Sequence, residues 1–146
     1  MKKIFVFCIL IIGIIISPCY SQNRVIIRYV DASIETPIRI PGYLFSKWKV
    51  EELSFKDSTL CTFFKRKIDS LLFCDLGNTI CRFPDVRQQI IVVYGEEYDI
   101  VSSDGSTAME KNGKSVVFDI VLQSIVNKII DNDKTTKFPN RKQNTH

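Results

Sequence analysis

The residue types able to do chemistry in this 146-residue chain are carboxylates and thiols. Glu51-Glu52 and Glu96-Glu97 are adjacent acidic pairs, and Asp99, Asp104 and Asp31 could join either in three dimensions. A pair that cleaves a glycosidic bond needs its carboxyls ~5–9.5 Å apart across a cleft. The test is therefore whether Glu51, Glu52, Glu96, Glu97 and Asp99 converge on one concave pocket. Glu96-Glu97 falls at an expected hairpin turn, where solvated acids are ordinary. The one histidine is His146, in a polar tail, which removes Ser-His-Asp and Cys-His catalysis and histidine-based zinc sites. Asp131 and Asp133 begin like a calcium loop, but Thr136 stands where the turn glycine is needed and Lys142 where the closing glutamate is needed. No cofactor is expected.

The segment Ala108 to Ser115 fits a relaxed phosphate-loop spacing, ending Gly113, Lys114, Ser115. Its interior, Met109, Glu110, Lys111 and Asn112, has no glycine to let amides converge, and Glu110 would repel phosphate. A parallel sheet with a second acidic motif is also missing downstream. We read the segment as an Asn112-Gly113 turn leading to a helix capped by Ser115.

Cysteines divide with the chain. Cys8 and Cys19 fall in an N-terminal leader, leaving Cys61, Cys74 and Cys81. If Gly77-Asn78 is the centre of a two-residue turn, Cys74 lies opposite Cys81, at a Cα spacing of ~4.5–5.5 Å that a disulfide accepts. A bridge to Cys61 and a fully reduced set are the alternatives. Cys61 belongs to the apolar face of a helix, where a thiol packs as a small hydrophobe.

The leader itself has a physical signature. Lys2 and Lys3 precede an apolar run from Ile4 to Ile16, interrupted only by Gly13, and Ser17-Pro18 end it. Thirteen residues are too short to span, since a helix rising 1.5 Å per residue needs roughly 20 apolar residues. We read residues 1–21 as a cleavable signal peptide, cut between Ser21 and Gln22, with no stable membrane span afterwards. The run Ile16-Ser17-Pro18-Cys19 also resembles a bacterial lipobox, although Pro18 stands where a small flexible residue is expected, so a lipoprotein anchored through Cys19 and an uncleaved anchor are the alternatives to a secreted or periplasmic chain. The precursor carries +4, but residues 22–133 hold 14 basic and 16 acidic side chains, a net of −2. The basic excess belongs to the ends, and the one local cluster, Lys65-Arg66-Lys67, suits a solvated helix face, so no nucleic-acid partner is expected.

The elements that must position these residues follow from periodicity. Arg24 to Val30 alternates and reads as a strand, as does Ile34 to Ile40, with Pro37 confining the latter to an edge. Tyr43 to Phe55 fits neither period. Asp57 or Ser58 caps a helix running to about Phe73, with Leu60, Cys61, Phe64, Ile68 and Leu71 at helical spacing. Gln88 to Tyr94 reads as a strand buried on both faces, Gly95-Glu96 as a turn, Glu97 to Ser102 as its partner strand, and 103–106 as a second turn. Val117, Val121, Ile125 and Ile129, with Phe118, Leu122 and Val126 beside them, mark a closing helix. The expectation is an α+β fold: one mostly antiparallel sheet of four or five strands against two amphipathic helices, a single domain over residues 22–133, followed by a disordered basic tail, 134–146.

No motif survives as a catalytic signature, so the expected role is a non-enzymatic exported module that binds a protein or envelope partner. A small extracytoplasmic hydrolase using acidic residues is the alternative. The expected interaction surface is the aromatic stretch Tyr43, Phe45 and Trp48, because its apolar side chains match no single buried face and aromatics anchor interfaces.

Overall fold

The structure, a computed structural model, describes residues 23–30, 39–74 and 82–137. Strand β1 (Arg24–Tyr29) buries Val25, Ile27 and Tyr29 on one face, as its alternation predicts. Strand β2 (Glu51–Phe55) pairs antiparallel on one side of β1, and β3 (Gln88–Tyr94) on the other, with Val92 opposite Val25. From there the chain meanders: the Gly95-Glu96 turn leads to β4 (Glu97–Ser103), then come β5 (Met109–Lys111) and β6 (Lys114–Val116). The order is β2-β1-β3-β4-β5-β6, antiparallel throughout. Between β5 and β6, Asn112 (φ 49°) and Gly113 (φ 76°) both take the left-handed conformation that a two-residue hairpin turn requires.

Two helices cover one face. Helix α1 (Ser58–Asp69) starts where the Asp57 carboxylate accepts the Leu60 N–H at 2.7 Å, and it buries Cys61, Phe64 and Ile68. It stops at Asp69, short of the expected Phe73. The Ser70 hydroxyl donates to the Lys67 carbonyl at 2.8 Å, and the chain leaves to run beside β6. There Phe73 bridges Val116, Cys74 N–H donates to Ser115 O, and Val117 N–H donates to Leu72 O. Helix α2 (Ile120–Lys137) is capped by Asp119, whose carboxylate accepts the N–H groups of Val121 and Leu122 at 2.9 Å. The expected Ser115 cap is thus wrong, since Ser115 lies in β6. Leu122, Val126 and Ile130 form its buried row, whereas Val117 and Val121 are exposed. The helix also runs through Lys134 to Lys137, residues expected to begin the tail. The remainder of that tail lies outside the described residues.

The fold is therefore the expected α+β single domain, with six strands among the described residues rather than the four or five expected. The additions are β2, hidden in the aperiodic stretch 43–55, and the short pair β5 and β6. Of the strand expected at Ile34–Ile40, residues 34–38 lie outside the described residues, and Ile40 is buried but not in a strand. Nor is β3 buried on both faces. Ile90 and Val92 pack under the helices, while Ile91 and Val93 on the opposite face are half-buried.

Two polar clusters fasten α2 to the sheet. Gln123, 4% exposed, accepts from the Ser103 hydroxyl at 2.5 Å and donates to Gln88 at 2.5 Å and Asn127 at 2.9 Å. At the far end, the Tyr29 hydroxyl donates to Asp133 at 2.8 Å, and Lys137 joins Asp133 and Glu51 at 2.8 and 3.3 Å.

Candidate binding groove

On the helix-free face the strand register aligns one polar row. Glu52, Arg28, Gln89, Ser102, Glu110 and Ser115 are successive cross-strand partners from β2 to β6. Arg28 donates to Glu52 at 2.7 Å. Gln89 Nε2 donates to Ser102 Oγ and to the Gly42 carbonyl, each at 3.3 Å, and the Ser102 hydroxyl bonds the Glu110 carboxylate. Glu110 is 9% exposed. Burial pushes its carboxyl above the ordinary range, and the Ser102 bond and the Arg39 charge act against that rise.

A second layer lies over this row. Ile40 N–H donates to Asp85 Oδ1 at 2.7 Å, Val86 N–H donates to Ile40 O at 2.9 Å, and Val30, Ile40, Phe45 and Val86 make a small separate core. Arg39 adds bonds from Nε to the Pro84 carbonyl at 3.2 Å and from Nη2 to the Phe83 carbonyl. These ties hold the 3₁₀ helix Gly42–Lys47 close above Glu110. A Cβ on Gly42 would collide with the Glu110 carboxylate and come within 2.9 Å of Ser102 Oγ, so the approach needs glycine.

The result is a groove of about 720 Å³. Its floor is Gln89, Ile100, Ser102 and Glu110, its walls carry Tyr43, Phe83, Pro41 and Pro84, and the Asn112-Gly113 turn closes one end. Tyr43 is 81% exposed and Phe83 59%. Apolar walls around a few placed polar groups are the usual character of a ligand site.

The residues expected from sequence fall unevenly. Tyr43 lines the groove, but Phe45 is fully buried in the small core and presents no surface, because the 3₁₀ turn directs it into that core while Tyr43 faces outward. Trp48, 37% exposed, stands outside the groove lining. Glu51, Glu52, Glu96, Glu97 and Asp99 do not converge there either. Glu51 pairs with Lys137, Glu52 with Arg28, and Asp99 with Lys65 and Lys111 at 3.6 and 3.9 Å, while Glu96 and Glu97 are exposed at the hairpin. Asp104 closes its own turn. Burial pushes its carboxyl up, but bonds from the Thr107 hydroxyl and from the N–H groups of Ser106, Thr107 and Ala108 hold it below the usual range. The Ala108–Ser115 segment is the β5–β6 hairpin, whose strand geometry forms no phosphate cradle. Cys81, Asp31, Cys19, Ser21, Gln22 and His146 lie outside the described residues, and with them the expected Cys74–Cys81 pairing and the cleavage site.

Glu110, Gln89, Ser102, Arg39 and Phe83 are groove residues that sequence reasoning passed over. Glu110 is the sole acid lining the groove among the described residues. In comparisons with known proteins, no family model matches the chain, and no curated protein and no solved structure matches it. Its reading rests on this geometry.

Proposed function

We propose that the chain is an exported, non-enzymatic binding module that engages a protein or envelope partner through the groove between the 3₁₀ helix and the sheet. The observation that carries this reading is the groove itself, which sets exposed Tyr43 and Phe83 over a hydrogen-bonded polar floor. Aromatic side chains left in water beside a concave site are the usual anchors of recognition. The hydrolase alternative requires a second carboxyl opposite Glu110, and the acids that could supply it are engaged elsewhere on the sheet. The export part of this reading rests on the leader, with cleavage after Ser21, lipidation at Cys19 and an uncleaved anchor as its alternative forms. No helix among the described residues is long and apolar enough to cross a membrane.

Affinity capture with the wild-type chain, repeated with Tyr43→Ala and Phe83→Ala, tests the binding reading. A partner retained by wild type and lost by both variants supports it; retention indifferent to both sinks it. N-terminal sequencing and mass measurement of the exported chain separate cleavage before Gln22 from lipidation at Cys19.

A further inference from the structure

The chemistry of the groove specifies its occupant further, on the binding reading just given. Its floor presents acceptors. Gln89 spends its amide nitrogen on Gly42 O and Ser102 Oγ, and its carboxamide oxygen accepts from no group among the described residues. Glu110 offers a carboxylate with one hydroxyl bonded to it. Of the nearby donors, Arg39 directs Nε and Nη2 to the carbonyls of Pro84 and Phe83, and Asn112 gives one amide N–H to Asp99 at 2.8 Å. Among the described residues no cation pairs directly with this nearly buried anion, and the Arg39 charge acts on it from beyond ion-pairing distance. A buried charge of that kind gains most from a cation that arrives with its own donors.

We infer that the groove takes the side chain of a lysine carried by the partner polypeptide, with Glu110 as counter-ion to its ammonium and Tyr43 and Phe83 against its alkyl stem. Lysine fits better than arginine for a geometric reason. A guanidinium prefers a carboxylate open at both oxygens, whereas Gly42 packs onto one edge of Glu110 and Ser102 bonds the group. A point-like ammonium with three donors needs only one free oxygen and can reach Gln89 as well. Exposed aromatic faces also attract an ammonium directly.

The test titrates acetyl-Gly-Lys-Gly-amide into the full chain, following the NMR shifts of the Ile100 methyls and the Tyr43 ring. Peptides with norleucine, ε-acetyl-lysine or arginine at the central position serve as comparisons. The lysine peptide saturates, and the norleucine and acetyl-lysine peptides bind about tenfold more weakly or worse, the scale of one lost charge-assisted contact. Glu110→Gln weakens the lysine peptide by a similar factor and leaves norleucine unchanged. Tyr43→Ala, at an exposed position that does not threaten folding, weakens both peptides. Affinity for lysine falls as the pH drops through the raised Glu110 range. The neighbours facing that carboxyl are Ser102, Ser115, Gly42 and Arg39.

Equal binding of lysine and norleucine peptides overturns the inference, as does arginine binding as well as lysine, or no binding of any peptide. If partner capture still depends on Tyr43 and Phe83 in any of those cases, the lysine assignment falls and the binding reading stands. Capture indifferent to the groove removes both.

Discussion

Replacing Gln123 by leucine isolates the worth of the buried amide cluster between α2 and the sheet. The side chain accepts from Ser103 and donates to Gln88 and Asn127. Leucine keeps the volume and leaves these groups without their partner. An unsatisfied buried polar group costs ~1–3 kcal/mol. Ser103 is buried and suffers most of this, whereas Gln88 is half-buried and can recover water. Leucine returns about 1 kcal/mol through apolar burial. The net expectation is a loss of about 2 kcal/mol, seen as a fall in melting temperature of roughly 6–10 °C for a domain of this size. Adding Ser103→Ala removes the stranded hydroxyl, so the double variant should be more stable than the sum of the single effects by about 1 kcal/mol. Recovery is incomplete because the Gly105 N–H then loses its acceptor, Ser103 Oγ. Thermal and urea unfolding of the four proteins gives the cycle. Strict additivity, or a Gln123→Leu variant more stable than wild type, would refute the claim that the cluster acts as a coupled unit.

Four further outcomes are expected. Val92→Asp places an unpaired charge under the helices and costs several kcal/mol, so little folded protein accumulates; an unchanged melting temperature contradicts the central position of β3. Phe45→Ala loses about 3–5 kcal/mol as a core truncation, while partly exposed Trp48 is quenched by iodide and its truncation costs less; the reverse order of stabilities would overturn their placement. Tyr29 is pushed up to about 12 by burial, with its bond to Asp133 adding to the rise, and Lys137 rises to about 12 chiefly through Asp133. Both keep their protons in the folded state beyond their ordinary values, so stability is full below pH ~10 and falls as pH rises towards 12; Tyr29→Phe should flatten that fall in urea titrations at successive pH values. Burial, with the nearby Asp57 charge, raises the Cys61 thiol, so it should resist alkylation until the chain unfolds, and non-reducing peptide mapping should find Cys74 joined to Cys81; an alkylated Cys74 removes that pairing.

The long elements were legible because their periods are long enough to count. Val25, Ile27 and Tyr29 announce β1, and Cys61, Phe64 and Ile68 announce the buried stripe of α1. The Asn112-Gly113 turn was legible from its chemistry alone. The start of α2 was misread because Val117 and Phe118 extend its apolar pattern backwards, past Asp119, whose carboxylate does the capping. Strands β5 and β6 are three residues each, too short to show alternation. For the same reason Glu110 carried no mark of its position: only its pairing with Ser102 turns it onto the helix-free face, and only the ties of Arg39 and Ile40 to residues 83–86 roof it over. A groove assembled from three distant segments has no local pattern to read.

The strand order also bears on how the chain comes together in time. Strands β3 to β6 are neighbours in sequence as well as in the sheet, each pair separated by a short turn, so they can zip in succession with little loop entropy to overcome. Strand β1 sits between β2 and β3, and its register with β3 joins residues 24–29 to residues 88–94. In a chain threaded outward from its N-terminus, β1 and β2 emerge early and wait as a two-stranded ribbon until the meander arrives. A hairpin of that kind is marginal alone in water. The interval before β3 docks is the stage at which the apolar face of Val25 and Ile27 stands open.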